Sequence, residues 1–322
     1  QKANMQLRKI IFIAVLSIIS IHYSAAQFDG IYSQYMHIKH FYNPAAVGEQ
    51  ELMKMLVAQR IDWIGIKNAP KTTLFTVNTP FKVGKTQHAA GIQFVNDIFG
   101  IFANQQINVQ YAYKLKFDYG TLSIGANIGA LNLICYGDSI KMAESDYHTP
   151  SNSDPAIPIG TQSGIGFDLG LGIYFSNNSW YAGLSILHAP GAEIKLGDKY
   201  DFKVNQTFTA VGGYNIKLNS PDYQLKPSIL FYTDFAAWQA QVSLLLDYKN
   251  KYWGGLAYSI QDAVSLSFGA EIIDGLQLGY CYDIPASSMI RATHGSHELF
   301  LSYDFNIFKP KYNQKHKSIR LL

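Results

Sequence analysis

Two short stretches of the chain have the residue types of a metal site. His37 and His40 are three residues apart, so a helical turn would place both imidazoles on one face. The stretch GSHELF begins like the zinc-protease motif HExxH with His297 and Glu298, but it lacks the second histidine and alternates like a strand. Zinc needs further ligands at suitable positions. We therefore predict no metal site and interpret His37 and His40 as polar residues of an N-terminal arm.

The residue patterns of catalysis and cofactor binding are also missing from the sequence. It contains no GxSxG nucleophile motif, no glycine-rich phosphate loop and no dinucleotide-binding fingerprint. Acidic residues recur on one side of alternating segments, and we interpret them as groups of a polar interior that form ion pairs with Lys114 or Arg291 rather than as general acids and bases. These residues are Asp168, Asp247, Glu271, Glu298 and Asp304. We predict that the protein is not an enzyme, with no catalytic residues and no cofactor.

The segments that carry these acids alternate in polarity. From Trp238 to Tyr248 one face is apolar throughout, whereas the other carries glutamine, serine and aspartate together with Leu245. A period of two predicts a β-strand with two different faces. About fourteen such segments occur, most of about ten residues, which is the length of a tilted strand across a bilayer. They cover residues 52–62, 72–79, 87–96, 103–115, 120–132, 163–175, 179–188, 203–216, 223–232, 236–248, 251–259, 262–272, 275–283 and 296–307.

The connections between these segments give a second indication. The even-numbered connections are tight, turn-rich clusters. The three long connections, 133–162, 189–202 and 284–295, are all odd-numbered. Short periplasmic turns and long outer loops are typical of outer-membrane barrels. We therefore predict an all-β fold: a transmembrane antiparallel up-and-down β-barrel of about 14 strands, with outer-membrane lipid against the apolar face.

Composition agrees with a barrel and argues against other classes. Only 15% of residues are charged, against about 25% in an average soluble protein. Aromatic residues at segment ends, such as Trp180, Tyr181 and Trp253, are typical of girdles at the membrane surface. Cys135 and Cys281 are too few for a disulfide framework and are expected to be buried or to face lipid. Basic residues form no stripe with interleaved aromatics, so nucleic acid is not an expected partner.

The two ends of the chain differ from the barrel. Arg8 and Lys9, an apolar run and small residues up to Ala26 predict a signal peptide over residues 1–26. Residues 27–51 are rich in aromatics and are expected either to plug or cap the lumen from the periplasmic side or to form a periplasmic arm. The barrel then covers residues 52–308, and residues 309–322 form a basic tail, either a contact for an acidic partner or cell-wall polymer or a solvated disordered segment.

Several stretches, in their order along the chain, resemble the PorP/SprF family of outer-membrane proteins from Bacteroidota. HFYNPAAVG is similar to the family's aromatic-Asn-Pro-Ala signature, and QRIDWIGIKNAPKT to its Arg-x-x-Trp-x-Gly and Ala-Pro-x-Thr pattern. Later strands, including YWGGLAYSIQDAVSLSFG and the terminal GSHELFLSYDF, continue the resemblance over nearly the whole mature chain. The matching positions, for which we expect structural or partner-binding roles, are Asn43, Pro44, Gly48, Arg60, Trp63, Gly65 and Pro70.

The resemblance implies a function as well as a fold. Members of this family are linked to type IX protein secretion and, in some cases, to gliding motility. It implies an outer-membrane protein of a Gram-negative bacterium that anchors or presents a large, adhesin-like exported surface protein and docks to periplasmic secretion-ring components. The alternative, which the residue pattern leaves open, is a passive outer-membrane channel for small or apolar molecules.

Overall fold

The computed structural model describes residues 29–50, 52–139, 160–197 and 200–305 of the 322-residue chain. The predicted signal peptide and basic tail lie outside the described residues. Within the described part, no helix is both long and apolar enough to cross a membrane.

Antiparallel strands make up most of the described chain. They are β1 (Met53–Ile61), β2 (Lys71–Val83), β3 (Thr86–Phe99), β4 (Phe102–Phe117), β5 (Gly120–Tyr136), β6 (Thr161–Ser176), β7 (Trp180–Leu187), β8 (Glu193–Leu196), β9 (Tyr200–Lys203), β10 (Thr207–Tyr214), β11 (Ile216–Lys217), β12 (Tyr223–Thr233), β13 (Trp238–Tyr248), β14 (Tyr252–Ser259), β15 (Ala263–Ile273), β16 (Leu276–Pro285) and β17 (Ser296–Phe305). The helical elements are single turns: Tyr35–His37, Lys39–Tyr42, Pro44–Ala46, Gly137–Ser139 and Ser288–Arg291.

Fourteen strands close into a barrel when β10 and its continuation β11 are counted as one. Strands β1 to β7 pair in sequence order, β7 pairs with β10, β10 with β12, and β12 to β17 again pair in order. Strand β11 continues β10 beyond Asn215 and pairs with the same neighbour. The barrel closes where β1 pairs with β17, with Met53 opposite Phe305. The predicted antiparallel up-and-down barrel of about 14 strands is confirmed.

The barrel has two different ends. We call the end at which β1 begins the short-turn end, because the connections there, such as residues 84–85 and 274–275, are tight. We call the other the long-loop end. It carries the connections 137–160, 188–206 and 286–295.

The alternation of side chains places apolar residues outside and polar ones inside. In β13, Val242 is 51% exposed and Leu244 44%, whereas the intervening Ser243 is 2% exposed and Gln241 1%. Ala240 departs from the pattern, since it is buried although it lies on the outer face. It stands directly opposite Phe231 in the register, so a larger neighbour covers its methyl group.

Two expectations about individual segments are wrong. The connection 189–202 was expected to be a loop, but it contains the hairpin β8–β9. Ile194 and Leu196 of this hairpin are buried against Leu131 and Leu133 on the inner face of β5. The segment expected over 203–216 accordingly joins the barrel only at Thr207, because Lys203 is the last residue of the hairpin and residues 204–206 connect it to β10.

The aromatic girdle is also smaller than expected. Trp253 was expected at the membrane surface, but it faces the lumen at 7% exposure and stacks on Phe300 at a centroid distance of 6.1 Å. Tyr181 likewise packs against the lumen core. An added Cβ at Gly269 would overlap the Trp253 ring, so this glycine makes the room for the indole inside. Trp180 does lie on the outer surface, at 39% exposure.

The main hydrophobic core lies inside the barrel. It consists of side chains from residues 29–50 packed against inward-facing wall residues such as Leu56, Leu74, Leu230, Leu245 and Phe300. The segment residues in this core are Tyr32, Tyr35, Ile38, Phe41, Tyr42, Ala45 and Ala46.

Candidate functional site

Residues 29–50, which we call the lumen segment, run from one end of the barrel to the other. Asp29 contacts Gln106 and His188 toward the long-loop end. Glu49 accepts a hydrogen bond from the Tyr174 hydroxyl at 2.6 Å, close to the short-turn end of β6. The lumen segment is therefore an internal element of the barrel and not an arm beside it.

Arg60 is the centre of a buried ionic network at the seam between β1 and β17. Its guanidinium lies 2.8 Å from Asp62, 2.7 Å from Asp283 and 3.2 Å from Glu298. Arg60 and Glu298 are direct cross-strand partners, and Asp283 reaches them from β16. All three strands contribute these groups near their long-loop ends. Since Arg60, Asp283 and Glu298 are almost completely buried, each depends on the others for compensation.

The same network holds the lumen segment. The Glu298 carboxylate accepts hydrogen bonds from two consecutive backbone N–H groups, those of Ser33 at 2.7 Å and Gln34 at 3.0 Å. The Ser33 hydroxyl donates to Asp283 at 2.7 Å and accepts from Arg60 at 2.9 Å. The wall thus satisfies backbone groups of the lumen segment that have no partner within the segment itself, which is the requirement for burying irregular backbone.

Asn43 and Pro44 form a second attachment nearer the short-turn end. The Asn43 side chain accepts from the Ala45 N–H at 2.9 Å and so caps the turn that Pro44 begins. Its amide nitrogen donates to the Ile173 carbonyl at 2.9 Å and the Leu184 carbonyl at 3.2 Å, two residues directly opposite in β6 and β7. Asn43 is completely buried. One side chain therefore both ends a turn and fixes the segment to two strands.

The wall is built of glycine where this attachment lies. An added methyl group at Gly172 or Gly183 would overlap the Asn43 amide, and one at Gly125 would overlap the backbone of Pro44 and Ala45. The residues next to these glycines in the sequence point outward. The missing side chains therefore make room only inside the barrel. The sequence signature Asn-Pro-Ala and the glycines of three separate strands thus form one contact.

Gly48 allows the chain to turn toward β1. Its φ of +59° favours glycine, and a side chain there would overlap Ala89. Lys114 donates to the Gly48 carbonyl. The turn is closed by an ion pair of 2.5 Å between Lys39 and Glu49, and the Lys39 ammonium lies 4.0 Å from the centroid of the Tyr181 ring.

Three of the residues singled out in the sequence lie outside the lumen, in the loop 62–70 at the long-loop end. The Trp63 N–H donates to Ser296 at 3.1 Å, and Gly65, with a φ of +100°, approaches His294. The Pro70 carbonyl accepts from the Asp62 N–H at 2.9 Å. The Trp63 and Gly65 contacts tie the loop 62–70 to residues 294–296, whereas the Pro70 bond closes the loop 62–70 itself. The motif positions therefore form two groups, one at the lumen segment and one in the loop 62–70 at the long-loop end.

The two N-terminal histidines are packed in the core. The His37 ring lies 4.7 Å from the Phe300 ring and 5.3 Å from the Trp253 ring, measured between centroids. His40 is 6% exposed, and its Nε2 has no hydrogen-bond partner among the described residues. No group of metal-ligating side chains occurs among the residues that the structure describes.

His188 differs, because it lies between two carboxylates just beyond the end of β7. Its ring nitrogens are 2.8 Å from Asp168 and 2.9 Å from Asp29. Burial opposes the charged form, but the two carboxylates outweigh it and raise the pKa of His188 to about 10. A charged His188 thus ties the start of the lumen segment to the wall.

The expected partners of the inner acidic residues are wrong. Asp168 contacts His188, Asp247 contacts Lys226 at 3.0 Å, and Glu298 contacts Arg60. Glu271 accepts from the Gly275 N–H, and Asp304 forms no ion pair within the described residues. Lys114 binds the lumen segment instead, and Arg291 is exposed in an outer turn. The observed partners depend on how the strands are aligned with one another, and the sequence does not show that alignment.

The fold and the filled lumen define an outer-membrane β-barrel with a built-in internal segment. The family model described as type IX secretion system membrane protein PorP/SprF matches residues 24–303. The chain belongs to the PorP/SprF family and is an outer-membrane component of type IX secretion.

Solved outer-membrane barrels are similar to the chain at low sequence identity. The Acinetobacter baumannii outer membrane protein Omp33 is 8% identical, over 80% of this chain and 100% of that one, with a TM-score of 0.47. The Pseudomonas putida toluene transporter TodX is 9% identical, over 87% and 95%, with a TM-score of 0.47. The CymD monoaromatic hydrocarbon channel is 12% identical, over 88% and 95%, with a TM-score of 0.43. No curated protein matches the chain.

Proposed function

We propose that this barrel works by recognition: it anchors or presents a large surface protein exported by the type IX system and docks to periplasmic secretion components. The observation that carries the proposal is the lumen segment, whose side chains pack against inward-facing wall residues in the described part of the interior. Family membership supports the link to secretion. On this proposal residues 27–51 act as a plug, residues 52–308 as the membrane anchor, and the protein catalyses no reaction.

The long-loop end is the proposed surface for the exported protein. Its loops support one another, since the Ile64 N–H donates to the Gly295 carbonyl and the His294 N–H donates to the Ile64 carbonyl, each at 2.8 Å. The hairpin β8–β9 is fixed to the wall beside them. A preorganised surface loses less freedom on binding than separate mobile loops would.

A clean deletion tests the proposal. Loss of the exported protein from the cell surface, with other outer-membrane proteins at normal levels, is the expected phenotype. Affinity purification of the tagged barrel from native outer membranes, followed by mass spectrometry, should recover that protein together with periplasmic secretion components. Normal surface display in the deletion strain would contradict the proposal.

The alternative function, a passive channel, makes a different prediction for the purified protein. An open lumen gives steady conductance in a planar bilayer, whereas the packed interior predicts a silent protein. Steady conductance of the intact chain would support the channel function and contradict a closed lumen.

A further inference from the structure

One stretch of the wall at the long-loop end is paired on one side only. Strand β6 pairs with β5 along its whole length, from Thr161 to Ser176. It pairs with β7 only from Leu171 to Ser176, because β7 ends at Leu187. On that side residues 161–170 have no neighbouring strand in the described part of the chain, and we call them the β6 edge.

Alternate residues of the β6 edge direct their backbone groups away from β5. The Leu169 carbonyl accepts a hydrogen bond from the Ala189 N–H at 2.8 Å, so the backbone groups of Leu169 face the β7 side. The N–H and C=O of one residue point to the same side of an antiparallel strand, and the side changes at every residue. The backbone groups of Ser163, Ile165 and Phe167 therefore face the open side, where they have no hydrogen-bond partner among the described residues.

The chain after β7 turns away from the β6 edge. Pro190 has no N–H to donate, and Gly191, with a φ of +59°, forms a tight turn. The hairpin β8–β9 that follows lies on the inner side of β6, where an added Cβ at Gly164 would overlap the Lys195 carbonyl. The hairpin residues that the structure describes thus cover the inner face of the edge, yet they make no hydrogen bond to its open side.

The β6 edge lacks the features that keep sheet edges from pairing with other chains. Such edges are usually blunted by lysine, proline or a bulge. The sequence of residues 161–170, TQSGIGFDLG, contains neither lysine nor proline, and its register with β5 is unbroken. Its single charged side chain, Asp168, is buried and contacts His188 at 2.8 Å. On the outer face, Ile165 is 75% exposed and Phe167 57%. The edge is therefore accessible to a further strand.

The β6 edge lies outside the hydrocarbon layer of the membrane. Unpaired backbone groups are costly in lipid and do not occur at lipid-exposed sheet edges. Because Ser163, Ile165 and Phe167 carry such groups, this part of β6 has to stand in the aqueous layer beyond the outer interface. It directly follows the long connection 137–160 and so lies on the side that an exported protein reaches.

We propose that the β6 edge binds an extended segment of the exported protein, which pairs with β6 as an additional strand. Backbone hydrogen bonds to Ser163, Ile165 and Phe167 supply the affinity, and the span from Thr161 to Phe167 accommodates about seven residues. The outward side chains of the segment meet Ile165 and Phe167 and are therefore apolar. The identity of the partner rests on the function proposed above, whereas the binding mode does not.

A synthetic peptide tests the binding mode on the purified, folded barrel. The probe is a fluorescent peptide of about seven residues in which valine and threonine alternate. If its valines lie outward opposite Ile165 and Phe167, the valine N–H groups face β6 and the threonine N–H groups face water. N-methylation of the valines should therefore weaken binding about tenfold or more, as measured by fluorescence anisotropy, whereas N-methylation of the threonines should not. Equal binding of the two methylated peptides, or no binding of the unmodified one, overturns the proposal.

The variant Ser163→Pro removes one free N–H and keeps the bonds to β5. Proline is tolerated at an edge position whose N–H faces away from the sheet. Peptide binding should weaken about tenfold or more. Ser163→Ala is the matched control, since it keeps the N–H and removes only the hydroxyl. Equal binding by the two variants contradicts strand addition at this edge. If Ser163→Pro does not fold, Ile165→Lys places at an exposed position the charge that blunts natural edges, and it should weaken binding instead.

Surface display in cells tests the partner separately from the site. Cells with Ser163→Pro should lose display of the exported protein, whereas cells with Ser163→Ala should keep it. Normal display with Ser163→Pro, in a barrel that binds the peptide, shows that the exported protein does not use this edge. A dimer of the purified barrel that Ser163→Pro separates would identify a second copy as the occupant and overturn the assignment. Normal display in the deletion strain contradicts the function proposed above, and peptide binding then still decides whether the edge accepts a strand.

Discussion

At the scale of single residues, Arg60 supports contacts in which it takes no part itself. It neutralises the carboxylates that hold the backbone of Ser33 and Gln34, although it contacts neither backbone group itself. A local sequence pattern cannot reveal this role, because the two carboxylates come from strands more than 200 residues further along the chain.

Replacing Arg60 by methionine should destabilise the folded barrel by about 3–5 kcal/mol, because Glu298 and Asp283 would remain buried without compensation. Thermal unfolding in detergent, followed by the electrophoretic shift of folded barrels, measures the loss. Arg291→Met, at an exposed arginine, should change stability by less than about 0.5 kcal/mol. The double variant Arg60→Met with Glu298→Gln should recover part of the loss. Equal stability of the wild type and Arg60→Met would refute the compensating role.

A second prediction at this scale concerns Gly172. Alanine at this position would overlap the Asn43 amide and should destabilise the protein by about 1–3 kcal/mol. Gly254→Ala is the matched control in another strand, because an added methyl there has its nearest neighbour at 3.8 Å. Chemical unfolding curves of the two variants give the comparison. A Gly172→Ala protein as stable as Gly254→Ala would show that Asn43 does not fill this groove.

At the scale of elements, polarity predicts the barrel strands well because each strand meets two uniform environments. Lipid selects the outer face of every strand, so Trp238–Tyr248 and its counterparts carry a local signal. The hairpin β8–β9 carries almost no such polarity signal, since each of its strands has four residues. Only Ile194 and Leu196 mark the buried side of the hairpin. The inner face is filled from distant parts of the chain, so the local sequence does not show that Trp253 and Tyr181 point inward.

The hairpin should depend on the apolar cluster that its buried side forms with β5. Ile194→Asp would place a charge against Leu131 and Leu133 and should release the hairpin while the barrel remains intact. Limited proteolysis of the folded protein should then cut between residues 189 and 206, several-fold faster than in the wild type. Lys195→Asp changes an exposed neighbour and should leave the rate unchanged. Equal resistance in both variants would mean that other contacts hold the hairpin.

At the scale of the whole molecule, the sequence predicts the class of protein but leaves the state of the lumen open. Its inward positions are small or polar in either case, and only the contacts of the lumen segment distinguish a filled interior from an open one. Asn43 illustrates the limit: Asn-Pro predicts a turn, and the turn is present. Its two bonds to β6 and β7 depend on strand positions more than 100 residues away.

Removing the filling should convert the barrel into a channel. A chain without residues 29–48 retains every wall strand but loses the side chains that occupy the interior. Planar-bilayer recordings should show stepwise conductance for this variant and none for the intact protein. The variant's barrel must first be verified by its circular dichroism spectrum and electrophoretic shift. A folded variant that stays silent would show that the wall side chains close the lumen without the segment.

The position of the Arg60 network has a consequence for the order of assembly. The first and last strands of the sheet meet at this seam, so their pairing completes the ring. Glu298, on the last strand, meets both Arg60 on the first strand and the backbone of the lumen segment. Ring closure and capture of the interior chain therefore share the same groups. A ring that closes without the N-terminal residues leaves the Glu298 carboxylate without the two backbone N–H groups that it binds in the finished protein.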